Sequence, residues 1–219
     1  MRFEEQNEEL IEYLTSQGIL KTPYIIQAFR KIMRHNFVPK DYLDSAYEDV
    51  PLPLTNDVRG PTISQPLTVA SMLEALQPKE GEKILDVGTG SGWQACLLAY
   101  CVGKDGNAVT IDIDKRMYDL ARENIDKTGL SNILVVLGDG SEGYEKEAPY
   151  DKIIVSAAAP KLPEPLKKQV KPGGRIVAPI GGIFNQQVVV FDKISDNEFK
   201  ESSLGWFIFV SLQGKYGYK

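Results

Sequence analysis

The chain has 219 residues, 42% hydrophobic and 25% charged, with a formal net charge of −5. That composition suits a globular protein with room for a sizeable core, and its mild acidity excludes the basic footprint of a nucleic-acid binder. No apolar run approaches the roughly 18 residues of a membrane span and MRFEEQNEEL has no secretory pattern, so the expectation is a cytoplasmic protein that engages neither nucleic acid nor membrane.

The first 45 residues read as helical. Leu10, Ile11 and Leu14 share one face of a short helix that Gly18 stops. Thr22-Pro23 opens a second segment, PYIIQAFRKIMRHNF, closed by Pro39. Residues 46–66 carry Pro51, Pro53, Pro61 and Pro66 and cannot be regular helix or central strand. A loop of that length in a compact chain is usually functional or disordered, and its Tyr, Val, Leu and Ile content argues for order.

From Thr68 strands and helices alternate. TVASMLEALQ is helix, KILDVG strand, WQACLLAYCVG helix, AVTIDID strand, and RMYDLARENIDKTG a helix ended by Gly129. ILVVLGD and YDKIIVSAAA are strands, LPEPLKKQVKPGG is a short helix with a Pro-Gly-Gly exit, and RIVAPIG is strand. QQVVVFDKI and GWFIFVSL close the chain as two strands separated by a polar turn, SDNEFKE. Such alternation predicts βαβ units and a parallel sheet, with the last two strands antiparallel to each other. The chain reads as one domain, with residues 1–66 a helical extension and loop and 67–219 the α/β core. Cys96 and Cys101 fit no zinc spacing and read as buried free thiols.

ILDVGTGSGWQA is the strongest local signal. A buried strand ends at Asp86-Val87, and Gly88, Gly90 and Gly92 let the chain turn tightly beside a ligand before a helix begins. The dinucleotide fingerprint G-x-G-x-x-G is not met: the third glycine comes one residue early and Trp93 stands where glycine is wanted. The turn is similar to the acid-x-G-x-G-x-G of S-adenosylmethionine-dependent methyltransferases, in which Asp86 would hold water or the cofactor's ammonium. Asp112 ends the next strand, placed to accept from ribose hydroxyls or to cap the following helix, while Asp114 should face solvent. Asp139-Gly140 ends the third strand, placed to meet an adenine or simply to turn the chain.

Taken in order, AYEDVPLPL, TISQP, ILDVGTGSGWQA, GDGSEGYEKEAPYDKIIVSAAAP, LPEPLKKQVKPGGRIVAPIG and FIFVSL resemble the protein-L-isoaspartate O-methyltransferase family from roughly residue 29 to 212. The resemblance implies a doubly wound, mostly parallel, Rossmann-like sheet of seven strands and S-adenosyl-L-methionine as cofactor. It implies a reaction, methylation of the free α-carboxyl of L-isoaspartyl residues in damaged proteins and peptides, the first step of their repair. It also puts the functional serine on Ser64, with Thr62, Ile63, Asp86, Gly88, Thr89, Gly90, Ser91, Gly92, Asp112, Ile113, Asp139 and Gly140 about the cofactor. No metal is implied, and a monomer is expected.

A carboxylate acceptor is ionised at neutral pH, its reference pKa being about 3.5, so no general base is needed. That agrees with a single histidine, His35, which reads as a surface or capping residue. The Ser64 hydroxyl could hold the carboxylate, or cap the helix after Pro66. Ala157, Ala158 and Ala159, with Phe207, Ile208, Phe209 and Val210, could lie against substrate backbone, or be strand-end packing. Two departures from the family stand out. TNDVRGP is three residues longer than usual, with Pro61 for the usual Gln and an added Arg59, either a partner for a substrate carboxylate or a solvated loop charge; and Ser211 replaces proline in the tail. The altered loop keeps open a methyltransferase for another carboxylate, such as a modified peptide. A binding module without turnover and a nicotinamide-dependent oxidoreductase are disfavoured, the first by the intact Ser64, Gly88, Asp112 and Asp139, the second by Trp93.

Overall fold

The computed structural model describes residues 2–57 and 60–218. Two helices open the chain, α1 (Phe3–Ser16) and α2 (Pro23–Lys31), followed by 3-10 turns at Arg34–Phe37 and Lys40–Ser45. Residues predicted as the C-terminal part of the second helical segment therefore form a tighter turn. The Thr22 side chain makes no capping bond; its hydroxyl and its N–H both donate to Glu74, each at 2.7 Å. The described residues of the proline-rich stretch include a two-residue antiparallel pair, β1 (Leu52–Pro53) with β2 (Thr62–Ile63).

Then come α3 (Pro66–Leu76), β3 (Lys83–Val87), α4 (Trp93–Val102), β4 (Asn107–Asp112), α5 (Lys115–Asp126), β5 (Ile133–Leu137), β6 (Tyr150–Val155), α6 (Glu164–Gln169), β7 (Val170–Gly181), β8 (Gln186–Ser195) and β9 (Glu198–Phe207). Strands β3 to β9 form one seven-stranded sheet, ordered β5-β4-β3-β6-β7-β8-β9. It is parallel from β5 to β7 and antiparallel at β7–β8 and β8–β9. The order reverses at β3, so the crevice of a doubly wound sheet opens beside the C-terminal end of β3.

Alternation along the strands splits the core in two. Ile84, Ala108, Ile154, Val177 and Val188 pack toward α1, α2, α3 and α4. Leu85, Val109, Ile153, Ile176 and Phe191 pack the other way, with Leu162, Leu166 and Leu212. Both faces of the central strands are covered, which is why they read as unbroken apolar runs rather than alternating ones. Cys96 and Cys101 are buried free thiols, and burial pushes both up to about 12. Among the described residues no helix is long and apolar enough to cross a membrane.

The last strand differs from expectation. SDNEFKE is mostly strand: a two-residue turn at Asp196-Asn197 joins β8 to β9, and Ile208, Phe209 and Val210 lie beyond the strand's end. Asp-Asn serves a tight hairpin, so the polar residues after it are the exposed side of an edge strand rather than a loop. Likewise Lys171–Gly174 belong to β7, not to a helix exit.

Candidate functional site

The C-terminal ends of β3, β4 and β5 stand level, with Val87 paired to Ile111 and Asp112 to Leu137. Three glycines make the turn above them, Gly88 at φ 96°, Gly90 at 53° and Gly92 at 88°, a region where a β-carbon is strained. The three differ in use. A β-carbon on Gly88 would stand 3.5 Å from that of Ser156, one on Gly92 would press on Ile125 at 3.2 Å, and one on Gly90 would lie 3.7 Å from the Thr62 carbonyl. Gly92 thus serves α4–α5 packing, whereas Gly90 meets the β1–β2 loop.

Asp112 stands half-buried at the edge of this turn. Its carboxylate accepts from the Gly90 N–H at 3.0 Å and the Asp114 N–H at 3.0 Å. Burial raises its pKa, against those two donors. The helix cap, which the sequence offers to Asp112, is Asp114, which accepts from the Arg116 N–H at 2.8 Å and pairs with the Arg116 guanidinium. Ile113 between them is exposed.

Asp86 lies deeper than the turn it precedes. It is fully buried, and its oxygens accept from Gln94 Nε2 at 2.8 Å and Thr110 Oγ1 at 2.8 Å. Gln94 also bonds Ser156 Oγ at 2.7 Å, and Thr110 bonds Thr89 Oγ1 at 2.7 Å. Burial pushes the carboxyl up to about 7; the Gln94 and Thr110 donors oppose that, and the Asp112 charge adds to it. Thr89 and Ser91 are both buried, Thr89 within this network and Ser91 with its carbonyl accepting from Asn124 Nδ2 at 3.0 Å.

Asp139 and Gly140 close the third side. Gly140 is packed so that a β-carbon would come within 2.6 Å of Val87 Cγ1. The Asp139 carboxylate accepts from the Ser141 N–H at 2.9 Å and hydroxyl at 2.6 Å, and from the Lys215 N–H at 2.8 Å. Both oxygens are engaged, one of them by the C-terminal segment.

Ser64 lies between β2 and α3, half-buried. It does not cap α3: the Leu67 N–H donates to Asp49 Oδ1 at 2.8 Å. Its carbonyl accepts from Arg34 Nη2 at 3.2 Å. Among the described residues the Ser64 hydroxyl takes part in no hydrogen bond.

Arg34 was not singled out by sequence reasoning. It is wholly buried and also donates to the carbonyls of Ala46 at 2.7 Å, Glu48 at 3.4 Å, Val50 at 2.9 Å and Ile63 at 3.5 Å. Its guanidinium lies over the Trp93 ring, 5.6 Å from the centroid. Burial pulls its pKa down to about 10, with Asp49 opposing, so it stays cationic at neutral pH. Trp93, in turn, donates its indole N–H to the Ile32 carbonyl at 2.9 Å, which fixes the helical extension to α4. A charged residue in an apolar helix segment, followed by a proline-rich loop full of orphan carbonyls, was the available signal. Next to Arg34, His35 is half-buried rather than on the surface. Its Nδ1 is 2.6 Å from the Tyr47 hydroxyl and its ring stacks on Phe3 at 4.2 Å.

The alanines meet the C-terminal tail. The Ala158 N–H donates to the Val210 carbonyl at 2.8 Å, and the Leu212 N–H donates to the Ala158 carbonyl at 2.7 Å. Ala159 is paired with Pro179 and Gly181. Neither Ala158 nor Ala159 therefore has backbone left for an added strand, and Ala157 beside them is also buried. Phe207 and Phe209 pack on the core, while Ile208 is 85% exposed and Val210 borders solvent. Arg59 lies outside the described residues. No group of three or more metal-ligating side chains occurs among the described residues.

Comparison with known proteins bears on this cleft as a whole. The family model for protein-L-isoaspartate(D-aspartate) O-methyltransferase matches residues 5–217. Curated relatives include a protein-L-isoaspartate O-methyltransferase of Methanopyrus kandleri, 43% identical over 99% of this chain and 95% of its own. Another, from Archaeoglobus fulgidus, is 43% identical over 100% of this chain and 98% of its own. A solved protein-L-isoaspartate O-methyltransferase superposes with a TM-score of 0.88 at 30% identity, covering 96% of this chain and 67% of that one. A Plasmodium falciparum protein, solved with S-adenosyl-L-homocysteine, shares the fold at a TM-score of 0.83 and 24% identity over 94% of this chain and 98% of its own. With a turn, an acid on each neighbouring strand and a serine loop arranged as described, the chain belongs to the protein-L-isoaspartate(D-aspartate) O-methyltransferase family.

Proposed function

We propose that this enzyme runs its family's reaction, methylation of the free α-carboxyl of an L-isoaspartyl residue, by positioning alone. S-adenosyl-L-methionine, when bound, supplies a methyl group already activated on a sulfonium. The residues present fit it: a glycine turn whose Gly90 carries no side chain of its own, Asp112 half-buried beside it for the ribose, and the Asp139–Gly140 loop after the next strand for the adenine. Asp86 acts from beneath, through Gln94 and Thr110, by stiffening the turn.

The acceptor carboxylate arrives ionised, so these residues have no proton to remove. Their task is to orient one carboxylate oxygen and exclude water, which in favourable cases supplies about 7–11 kcal/mol of the barrier. Ser64 does this by donating its hydroxyl to the carboxylate. The observation that carries this assignment is the Ser64 hydroxyl, which makes no hydrogen bond among the described residues and follows by two residues the Thr62 carbonyl that faces Gly90. Ile208 and Val210, exposed at the end of β9, support a substrate chain lying along that edge through side-chain contact.

The test is transfer of labelled methyl to an isoaspartyl peptide beside its normal aspartyl twin. Base-labile label on the first alone is expected; equal labelling of both, or of neither, sinks the reading. Ser64→Ala is expected to slow transfer about 100-fold, by analogy with loss of one transition-state donor, with cofactor affinity within about twofold. Parental turnover by Ser64→Ala removes Ser64 from the mechanism. We further infer a cytoplasmic monomer, supported by the acidic composition and free thiols; a dimer in size-exclusion chromatography with light scattering contradicts the second point.

A further inference from the structure

Helix α3 is capped from a distance. It opens with Pro66, which has no N–H, so Leu67 carries the first orphan donor of the helix. A serine three residues before such a donor is well placed to accept from it, and Ser64 is that serine. Yet the Leu67 N–H donates to Asp49 Oδ1, and Gln65 Nε2 donates to Asp49 Oδ2 at 3.0 Å. Gln65, the residue at the cap position, makes no capping bond with its own side chain.

Asp49 is itself held in place. Arg34 grips the carbonyls on either side of it, those of Glu48 and Val50, and with the same guanidinium grips Ile63 and Ser64. The segment around Asp49 and the segment entering α3 are thereby locked side by side, with a carboxylate reaching from one to cap the helix that begins in the other. A carboxylate at a helix N-terminus is also favoured by the helix dipole.

We propose that Asp49 is a positioning residue for methyl transfer. It takes the capping task that would otherwise fall to Ser64, and so leaves the Ser64 hydroxyl for the acceptor carboxylate. Without Asp49 the Leu67 N–H loses its acceptor, and Ser64, three residues before it, turns its hydroxyl oxygen to that donor and away from the acceptor carboxylate. This inference rests on the role given to Ser64 above.

The experiment compares Asp49→Ala, Asp49→Asn, Ser64→Ala, the Ser64→Ala/Asp49→Ala double variant and Asp49→Ala/Gln65→Asp. For each, kcat and KM are measured on an isoaspartyl peptide, with the Kd for S-adenosyl-L-methionine. Asp49→Ala is expected to lower kcat on the order of 10- to 100-fold, as for a lost transition-state donor, with cofactor Kd within about twofold. Asp49→Asn keeps an oxygen for the Leu67 N–H and stays within about threefold of the parent. Gln65→Asp gives the helix its own cap and restores most of the rate lost by Asp49→Ala. The double variant is no slower than Ser64→Ala, because contacts that act through one group are not additive.

Parental kcat in Asp49→Ala, multiplied losses in the double variant, or an Asn variant as slow as the Ala variant each overturn the inference. Should Asp49→Ala fail to fold, the two variants that keep a cap carry the test, and a loss above about tenfold in either overturns it. A Ser64→Ala enzyme at the parental rate removes the role of Ser64 and that of Asp49 with it. A slow Ser64→Ala beside multiplied losses removes only Asp49.

Discussion

On the cofactor side of the cleft, Asp86, Gln94, Ser156, Thr110 and Thr89 are joined side chain to side chain across β3, β4, the glycine turn, the first turn of α4 and the end of β6. On the acceptor side, Arg34 and Asp49 reach across sequence separations of 12 to 30 residues to hold backbone groups of two proline-rich segments. The first side is part of the sheet and shares its core. The second is a loop system that Arg34 and Asp49 gather. A buried network inside a sheet resists local opening, whereas loops held by a few polar anchors open as a unit when an anchor is lost.

Removing Arg34 is the sharpest way to break the second side and leave the first. Arg34→Met keeps apolar bulk against Trp93 but strands five carbonyls. The expected cost is about 3–5 kcal/mol, read by urea unfolding, with residues 46–66 becoming sensitive to protease. Cofactor Kd in the folded fraction is expected to change less than about threefold. Equal loss on both sides would mean that the two are one unit.

Asp86→Asn probes the first side through pH. The folded chain raises the Asp86 carboxyl to about 7, so between about pH 4 and pH 7 it keeps a proton that the unfolded chain has released. The resulting stabilisation is full below the unfolded pKa and lost as pH rises through about 7. Asp86→Asn removes this dependence, so its stability relative to the parent is expected to climb from pH 5 to pH 8, on the order of 3 kcal/mol. Parallel stability curves for the two proteins would show that Asp86 ionises as it does in water.

How far each side was legible follows from the same contrast. ILDVGTGSGWQA and VTIDID carry strand, turn and acid within a few residues, so their positions at the crevice could be inferred from local pattern alone. Ser64 was legible only as an ambiguity, because a serine before a proline serves equally as cap or as donor. Asp49, which resolves that ambiguity, sits fifteen residues earlier in a loop with no periodicity. The last strand was misplaced because polar residues on an exposed edge look like a turn. The occupied backbone of Ala158 depends on a tail more than fifty residues away.

Gly90→Ala acts where the two sides meet. The residue sits at φ 53°, so an alanine strains the turn by about 1 kcal/mol and places a methyl near the Thr62 carbonyl and the Leu54 side chain at 3.6–3.7 Å. The space is adequate, so the expected effect is a five- to tenfold weaker cofactor, about 1 kcal/mol of affinity, with kcat at saturating cofactor preserved. A loss of kcat instead would show that the Ser64 loop reads the conformation of the glycine turn.

The smallest effect is expected at the ionic link across the seam. Asp57, in the segment between β1 and β2, pairs with Arg116 of α5 at 2.8 Å, and Arg116 also holds Asp114. Both side chains of the Asp57–Arg116 pair are more than half exposed, where water and salt screen an ion pair and ordering two long side chains offsets its attraction. Asp57→Asn is therefore expected to shift the melting temperature by less than about 2 °C and cofactor affinity by less than about twofold, with the difference vanishing in high salt. Because the helix cap at Asp114 survives this substitution, any larger change has to come through the loop. A cofactor that binds markedly faster to Asp57→Asn at low salt, and at the parental rate in high salt, would turn the link from an incidental contact into a latch between the two sides.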